Sequence, residues 1–292
     1  MSRNAGAPAE ISRASDATTI QQALAAARRS IDAVDARVLL RHALGESNEF
    51  LATHPTRVLS AEQGHFFHML VARRAAGEPV AYLTGSREFY GLAFEVNPAV
   101  LIPRPETELL VDLALQRLSA DGVTTVLDLG TGSGAIAIAI AQHRPLATLY
   151  AVDASKAALL VARRNARRLL PQERARQIIF LHGDWYQPLA GRRVDLIVAN
   201  PPYIAAADPH LKQGDLRFEP VRALSAGTDG LTGLREIIAN GASHLEPGGW
   251  LICEHGYDQA DAVEALFAAA RFRLIARRED GAGIPRVAMG QR

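Results

Sequence analysis

The chain has 292 residues, 48% of them hydrophobic, and a formal net charge of +1. This length is sufficient to bury one large core or two smaller ones, and the balanced charge gives no global indication of binding to nucleic acid or to an anionic membrane. Cys253 is the only cysteine, which excludes an internal disulfide bond and suits a reducing compartment.

Residues 1–17 contain no apolar core of the kind found in signal peptides, and we expect them to form a disordered tail. The longest apolar run, Ala135 to Ala141, is far shorter than the roughly 18 residues that a membrane helix needs. These features predict a soluble protein of the cytoplasm.

Residues 18–85 are predicted to form a helical domain. Apolar residues recur there at helical spacing, Gly45 is placed to end one helix, and Ser60 is placed as the N-cap of another. The histidines of this segment show no consistent ligand spacing, so no metal site is expected. Residues 86–112 are rich in Tyr, Phe, Val and Gly, and the string FYGLAFEV within them predicts a β-hairpin that links two domains.

The remaining segment, 113–292, alternates between strand-like and helix-like patterns. The predicted strands are VTTVLDLG, ATLYAVD, QIIFLHGD, VDLIVAN and GWLICEHG, and helical strings such as SKAALLVARRNARRLL lie between them or follow the last one. Strands that alternate with helices are typical of βαβ units. We therefore predict an α/β domain with a parallel sheet that is covered on both faces.

The string LDLGTGSGAIA follows the first strand of this domain and begins its first helix. Gly130, Gly132 and Gly134, with Thr131 and Ser133 between them, would let the backbone approach a ligand closely at the helix N-terminus. The string also satisfies the loose dinucleotide pattern G-x-G-x-x-G/A. The loop therefore predicts a nucleotide-like cofactor without deciding between NAD and S-adenosylmethionine.

Two carboxylates near this loop bear on the choice of cofactor. Asp153 ends the next strand, about 20 residues further on, where a carboxylate can accept both ribose hydroxyls. Asp128 lies at the tip of the first strand, where it would repel a pyrophosphate but suit the cationic amino-acid end of S-adenosylmethionine. Alternatively, Asp128 hydrogen-bonds the amides of its own loop.

The string IVANPPYIAAAD ends another predicted strand with Asn200, Pro201, Pro202 and Tyr203. The two prolines cannot donate backbone hydrogen bonds, so the sheet has to stop there. If the reacting group is an NH2 on an sp2 carbon, the Asn200 side-chain oxygen and the Pro201 carbonyl can accept its two hydrogens and stabilise the charge that develops on nitrogen. Tyr203 would offer a flat face to a planar group. The alternative is an ordinary strand-ending turn.

NPPY together with DLGTGSGAIA resembles the class I methyltransferases that modify exocyclic or amide nitrogens. The strings REFYGLAFEVNPAVLIPRPETELLV, RFEPVRALSAGTDGL and LICEHGYDQ resemble, more specifically, the protein-(glutamine-N5) methyltransferases called PrmC or HemK. This resemblance covers most of the chain. It implies a class I Rossmann-like domain, S-adenosylmethionine as cofactor, and methylation of the glutamine in the Gly-Gly-Gln motif of peptide chain release factors.

The resemblance also implies roles for individual residues. The loop from Gly130 to Gly134 would contact the methionine part of the cofactor, Asp153 its ribose, and Trp185 its adenine, with Asp184 as a second candidate for the adenine amino group. The substrate glutamine would be held by Asn200 to Tyr203. Trp185 could instead be an interface aromatic residue. In the string PRPETE, Glu106 and Glu108 are expected to organise the hairpin or cap the next helix.

Three other functions stay open at this point. The first is a nucleic-acid methyltransferase that acts on adenine N6, because this nitrogen is also an NH2 group on an sp2 carbon and could be held in the same way. The helical domain, however, has only a weak excess of basic residues for a module that binds a nucleic-acid duplex. An NAD-dependent oxidoreductase would explain the glycines and Asp153 but would give Asn200 to Tyr203 no task. A catalytically silent adaptor is disfavoured because the expected site positions are intact. We expect a monomer that binds release factors through residues 18–85 and binds no nucleic acid directly.

Overall fold

A computed structural model describes residues 18–292, and the predicted tail 1–17 lies outside the described residues. The chain divides into two compact units, the first ending at Thr84 and the second beginning at Gly85. The predicted hairpin belongs to the second unit. Within the described residues, no helix combines the length and the apolar character that a membrane span requires.

The first unit is helical, as predicted. Gly45 ends the second helix with a φ of 68°, and Ser60 begins the fourth as its N-cap by accepting a hydrogen bond from the amide of Gln63. The apolar faces of the helices form one core, which contains Ile20 and Leu39. The helices are α1 (Ile20–Ala27), α2 (Ala33–Leu44), α3 (Asn48–Thr53), α4 (Ala61–Ala75) and α5 (Val80–Thr84).

The second unit begins with the predicted hairpin, β1 (Ser86–Phe89) paired antiparallel with β2 (Leu92–Glu95). The Glu108 side chain, which lies outside the hairpin, stabilises the hairpin turn, because its Oε1 atom accepts a hydrogen bond of 2.8 Å from the amide of Tyr90. The prediction that Glu108 organises the hairpin is therefore confirmed. Glu106 is exposed.

The remaining elements of the second unit alternate between strand and helix over most of their length. The strands are β3 (Thr125–Leu129), β4 (Thr148–Asp153), β5 (Ile178–His182), β6 (Val194–Ala199), β7 (Leu245–Glu254), β8 (Arg273–Glu279) and β9 (Pro285–Gln291). The helices are α6 (Glu108–Arg117), α7 (Ala135–His143), α8 (Lys156–Leu169), α9 (Gln172–Arg176), α10 (Val221–Leu224), α11 (Thr232–Gly241) and α12 (Ala260–Ala269).

Seven of the strands form one sheet in the order β5-β4-β3-β6-β7-β9-β8. The strands from β3 to β7 are parallel, as predicted, but β9 pairs antiparallel with both β7 and β8. The expectation of a purely parallel sheet was wrong at this edge. β8 and β9 are joined by a short turn rather than by a crossover helix, and β8 is a largely exposed edge strand with the charged sequence RLIARRE, so it lacks the apolar run of a buried strand.

Helices cover the sheet on both faces and enclose two cores. One core contains the apolar residues of α6 and α7 together with Val126 and Val198. The other contains residues of α11 and α12 together with Leu127 and Ile197. Neighbouring residues of one strand thus enter opposite cores, which is the pattern of a sheet buried on both sides.

Candidate active site

The ends of four neighbouring strands lie level with one another at the carboxyl edge of the sheet. The register pairs the last residues of β3 with Val152 of β4 and with Ala199 of β6, and it pairs Ala199 with Cys253 of β7. The residues that follow these aligned positions therefore emerge side by side. They are Gly130, Asp153, Asn200 and Glu254. Ligands of open α/β sheets bind at this edge, so the site is built from these four positions outward.

The glycine loop between β3 and α7 has a left-handed backbone at three positions. Gly130, Gly132 and Gly134 have φ values of 76°, 56° and 83°, which glycine adopts without strain. At Gly134 a Cβ atom would lie 2.9 Å from Cδ1 of Ile138 and 3.2 Å from Cβ of Ala162. Gly134 therefore also allows two helices to pack closely, while Gly130 and Gly132 line a cavity.

The polar residues of the loop are buried and are not among the residues that line this cavity. Thr131 donates a hydrogen bond of 2.6 Å to Oδ2 of Asp128, and the Ser133 carbonyl accepts one of 2.9 Å from Nδ2 of Asn165. Asp128 is fully buried, and burial raises the pKa of its carboxyl to about 7. The structure thus places Asp128, Thr131 and Ser133 beneath the loop, and their predicted contact with a cofactor stays a prediction.

Asp153 lines the cavity and also organises the loop. Its Oδ2 accepts a hydrogen bond of 2.9 Å from the amide of Gly132, and its Oδ1 accepts one of 2.7 Å from the amide of Ser155. Burial raises the pKa of the Asp153 carboxyl, and these two hydrogen bonds oppose the shift. Because a carboxylate oxygen can accept two hydrogen bonds, each oxygen keeps one lone pair for a ligand hydroxyl.

Trp185 closes one side of the same cavity, and Asp184 lies beside it in the lining. The indole is close to the loop, since a Cβ atom on Gly130 would lie 3.7 Å from its Cζ3 atom. It packs more closely still against α11, since a Cβ atom on Gly233 would lie 3.3 Å from its Cζ2 atom. Trp185 has a φ of 41°, which an L-residue seldom adopts. The ring is therefore positioned by packing on both of its sides.

Asn200 lines the cavity next to the glycine loop, since a Cβ atom on Gly130 would lie 3.9 Å from the Asn200 carbonyl oxygen, and Pro202 lines the cavity as well. The Asn200 side chain donates a hydrogen bond of 3.1 Å from Nδ2 to the hydroxyl of Thr107, which is buried. This contact uses the amino group, so the Asn200 Oδ1 atom is the part of the amide that can accept from a ligand. The Pro201 ring is buried and packs beside Gly233, and Pro201 is not among the lining residues, so the predicted role of its carbonyl stays a prediction.

Tyr203 does not line the cavity with the residues above, and its hydroxyl is directed to the end of β7. It donates a hydrogen bond of 3.3 Å to Oε1 of Glu254, a carboxyl group that is 1% exposed. Its backbone carbonyl accepts a hydrogen bond of 3.0 Å from Nε2 of Gln259. Burial raises the pKa of the Tyr203 phenol, and the neighbouring Glu254 raises it further. Tyr203 is thus a protonated donor at neutral pH.

Comparisons with known proteins agree with this arrangement. Residues 18–85 match the PrmC N-terminal domain, and residues 107–215 match the methyltransferase small domain. The chain is 53% identical to the release factor glutamine methyltransferase of Burkholderia pseudomallei over 89% of this chain and 92% of that protein. It is 50% identical to the release factor glutamine methyltransferase of Xylella fastidiosa (strain Temecula1) over 92% of this chain and 96% of that protein.

The chain belongs to the release factor glutamine methyltransferase family. Its fold is also that of a solved 16S rRNA N2 methyltransferase from T. thermophilus, in complex with AdoMet and guanosine, with a TM-score of 0.51 and 22% identity over 71% of this chain and 49% of that chain. The predicted fold, a class I methyltransferase domain preceded by a helical region, is therefore confirmed.

The cavity of this release factor glutamine methyltransferase family member suits a cationic nucleoside better than a dinucleotide. Its lining carries the carboxylates of Asp153 and Asp184 and the guanidinium of Arg222. The Gly132 amide is already bonded to Asp153, so this loop amide is not available to a pyrophosphate. The donor set fits S-adenosylmethionine, with acceptors for hydroxyls and an amino group and an aromatic face for the base.

Several residues that build the cavity were not identified from the sequence. Residues 99–101 line it, and the amide of Ile102 donates a hydrogen bond of 3.0 Å to Glu219, a buried carboxylate that also pairs with Arg104. Thr107 and Glu254 were missed in the same way. All of them lie within the strings PAVLIPRPETE, RFEP and LICEHGYDQ. These strings indicated the family, but they did not indicate what any of these residues does in the site.

Proposed function

We propose that this chain transfers a methyl group from S-adenosylmethionine to the side-chain amide nitrogen of the glutamine in the Gly-Gly-Gln motif of peptide chain release factors. The names of its relatives support this proposal, since they are release factor glutamine methyltransferases that match almost the full chain. The cofactor, the site residues and the partner are parts of the same proposal.

The observation that carries the proposal is the orientation of the Asn200 amide beside the glycine-loop cavity. A carboxamide nitrogen is a poor nucleophile because its lone pair is delocalised into the carbonyl group. Asn200 has its amino group bound to Thr107, so its Oδ1 atom can accept one hydrogen of a substrate amide. The Pro201 carbonyl would accept the other hydrogen, so that the nitrogen is oriented and its developing charge is stabilised.

When bound, S-adenosylmethionine supplies an electrophilic methyl group on a sulfonium. Transfer would place this methyl group on the amide nitrogen, the neutral thioether S-adenosylhomocysteine would be the leaving product, and the nitrogen would lose one proton to water. In this proposal Asp153 holds the ribose hydroxyls with the one lone pair that each of its oxygens keeps free, and Trp185 contacts the base. Tyr203 orients the planar glutamine amide.

The helical unit is proposed to recognise the release factor. Its match to the PrmC N-terminal domain supports this assignment, and its residues lie before every motif of the cofactor cavity. The adenine-N6 and NAD alternatives are weaker. A dinucleotide would find the Gly132 amide already bonded to Asp153 and would leave Asn200 without a task, and neither relative acts on nucleic acid according to its name.

The decisive experiment incubates purified release factor with the protein and methyl-labelled S-adenosylmethionine, followed by mass spectrometry of the Gly-Gly-Gln peptide. We expect one methyl group on the glutamine. Asn200→Ala should lower kcat by roughly 10²–10³-fold, the cost of one lost electrostatic contact at a reacting centre, with little change in cofactor affinity. Asn240→Ala is the matched control, since that exposed amide bonds only its own helix. Label in adenine of added DNA, or on another residue, would contradict the substrate assignment.

A further inference from the structure

The residues Asn200 to Tyr203, here called the substrate corner, have little backbone support of their own. The two prolines of the corner have no N–H group to donate. Among the described residues, the backbone of 201–203 is hydrogen-bonded at one group, the Tyr203 carbonyl, which accepts a hydrogen bond of 3.0 Å from Nε2 of Gln259. The next backbone bond lies one residue further on, where the amide of Ile204 donates to the last carbonyl of α10 at 2.9 Å. The position of the Tyr203 end of the corner therefore depends on a side chain from another element.

The Gln259 side chain binds backbone groups of three segments at once. Gln259 is the N-cap residue of α12 and is 9% exposed. Its Oε1 atom accepts a hydrogen bond of 2.9 Å from the amide of Gly256, and its Nε2 atom donates to the carbonyls of Tyr203 at 3.0 Å and Asp229 at 3.4 Å. A flipped amide would turn its oxygen towards two carbonyls and its amino group towards an N–H group. The fixed backbone groups therefore determine the orientation of this amide.

Two glycines leave the space that this contact needs. Gly230 has a φ of 75°, and a Cβ atom on it would overlap the Tyr203 carbonyl oxygen and would lie 2.8 Å from Nε2 of Gln259. A Cβ atom on Gly256 would lie 3.0 Å from Oε1 of the same amide. The loop before α11 thus approaches the corner as closely as glycine allows, and the Gln259 amide lies between this loop and the residues that follow β7.

We propose that Gln259 is a positioning residue that holds the Tyr203 end of the substrate corner in the place required for binding the substrate glutamine. The proposal rests on the function proposed above and adds a residue that is not among those lining the cavity. Asn200, at the other end of the corner, has its own contact with Thr107. Two separate side chains therefore hold the two ends of the corner. Loss of the Gln259 amide should affect the task of Tyr203, which is binding the glutamine, more than the orientation of Asn200.

The first test compares Gln259→Glu with the wild type in steady-state kinetics on release factor. The carboxylate can still accept from the Gly256 amide, but it has no hydrogen to donate to the two carbonyls and repels them instead. We expect KM for release factor to rise by roughly 10- to 100-fold, a larger change than in kcat, with the affinity for S-adenosylmethionine nearly unchanged. Gln259→Met removes the donors without adding a charge, and it should raise KM as well.

Gln177→Glu is the matched control for this test. The Nε2 atom of Gln177 also donates to a backbone carbonyl, that of Pro145 at 2.6 Å, but Gln177 precedes β5 at the amino edge of the sheet. This variant should keep both KM and kcat. All rates are referred to the folded fraction measured by circular dichroism. A purely structural role of Gln259 predicts a wild-type KM for the folded fraction of its variants.

The second test needs no substrate and separates this proposal from the proposed function. Hydrogen exchange followed by NMR measures the opening of the Ile204 amide, which belongs to the same peptide group as the Tyr203 carbonyl. In Gln259→Met this amide should exchange faster by a larger factor than the amides of β3, which report global stability. If the wild type does not methylate release factor, the proposed function fails, whereas faster exchange at Ile204 would still show that Gln259 holds the corner. A wild-type KM in folded Gln259→Met, or an Ile204 amide whose exchange changes no more than that of β3, would overturn the positioning role.

Discussion

Replacing Asp153 by asparagine tests whether this carboxylate binds the ribose of the cofactor. In the structure each Asp153 oxygen accepts one backbone amide, from Gly132 at 2.9 Å and from Ser155 at 2.7 Å. Each oxygen keeps one lone pair, so the carboxylate can accept two ribose hydroxyls at once. Asparagine keeps only one oxygen and turns an amino group towards an amide donor. The variant must therefore lose at least one charged hydrogen bond to the ligand.

The expected loss follows from the value of that hydrogen bond. Hydrogen bonds to charged groups contribute about 1.5–3 kcal/mol, which corresponds to a roughly 10- to 150-fold weaker binding of S-adenosylmethionine. Because the same oxygens hold two loop amides, Asp153→Asn should also lower the free energy of unfolding by about 1–3 kcal/mol. Isothermal calorimetry measures the first effect and urea unfolding the second.

Asp195→Asn is the matched control. Asp195 lies near the opposite end of β6 and accepts the amide of Thr125 at 2.7 Å, so it has the same kind of structural contact far from the cavity. We expect a similar loss of stability and an unchanged cofactor affinity. An Asp153→Asn protein that binds S-adenosylmethionine as tightly as the wild type would refute the ribose assignment. Tighter binding of NAD than of S-adenosylmethionine by the wild type would refute the cofactor itself.

Three further predictions concern the substrate, the helical unit and Glu254. Tyr203→Ala should raise KM for release factor more than it lowers kcat, while Tyr203→Phe should keep KM because it retains the ring; steady-state kinetics distinguish the two parameters. A protein beginning at Gly85 should bind S-adenosylmethionine but methylate intact release factor poorly, and full activity would assign the helical unit another task. The pKa of Glu254 is raised from 4.5 to about 7, so the folded protein binds this proton more tightly than the unfolded chain. Its contribution to stability is therefore lost as pH rises from about 4.5 to about 7, and Glu254→Gln should be more stable than the wild type at pH 8, by up to about 3 kcal/mol in urea unfolding.

The meeting of these strand ends at one edge of the sheet could be predicted because its signals are local in the sequence. Asp153 is the last residue of β4, the glycine loop and the Asn-Pro-Pro-Tyr corner each follow a strand directly, and the rule for open α/β sheets brings strand ends together. The contact of Asn200 with Thr107 and that of Tyr203 with Glu254 could not be predicted in this way. Thr107 is 93 residues away from Asn200, and Glu254 is 51 residues away from Tyr203. The second contact depends on the order of β6 and β7 in the sheet, and the first on where the start of α6 packs, and a single sequence contains neither.

The same limit explains the edge strands. β8 and β9 pair with each other and with β7 through an antiparallel register, whereas the alternating pattern of strand and helix that precedes them predicts only parallel neighbours. The antiparallel β9 still bears on the site. Its residue Val287 is paired with Glu254, and Arg286 beside it acts on the Glu254 carboxyl. The antiparallel pairing of β9 was not predicted from the sequence pattern, whereas β7 was. Arg286 of β9 thus influences the pKa of Glu254 at the end of β7.

The charge of Glu254 has no evident task in holding the fold together. A glutamine at this position has almost the same shape and can still accept from the Tyr203 hydroxyl, and it avoids the cost of burying a charge. Glu254→Gln should therefore be more stable than the wild type at pH 8, and a variant of equal or lower stability would show that the charge itself helps to hold the fold together.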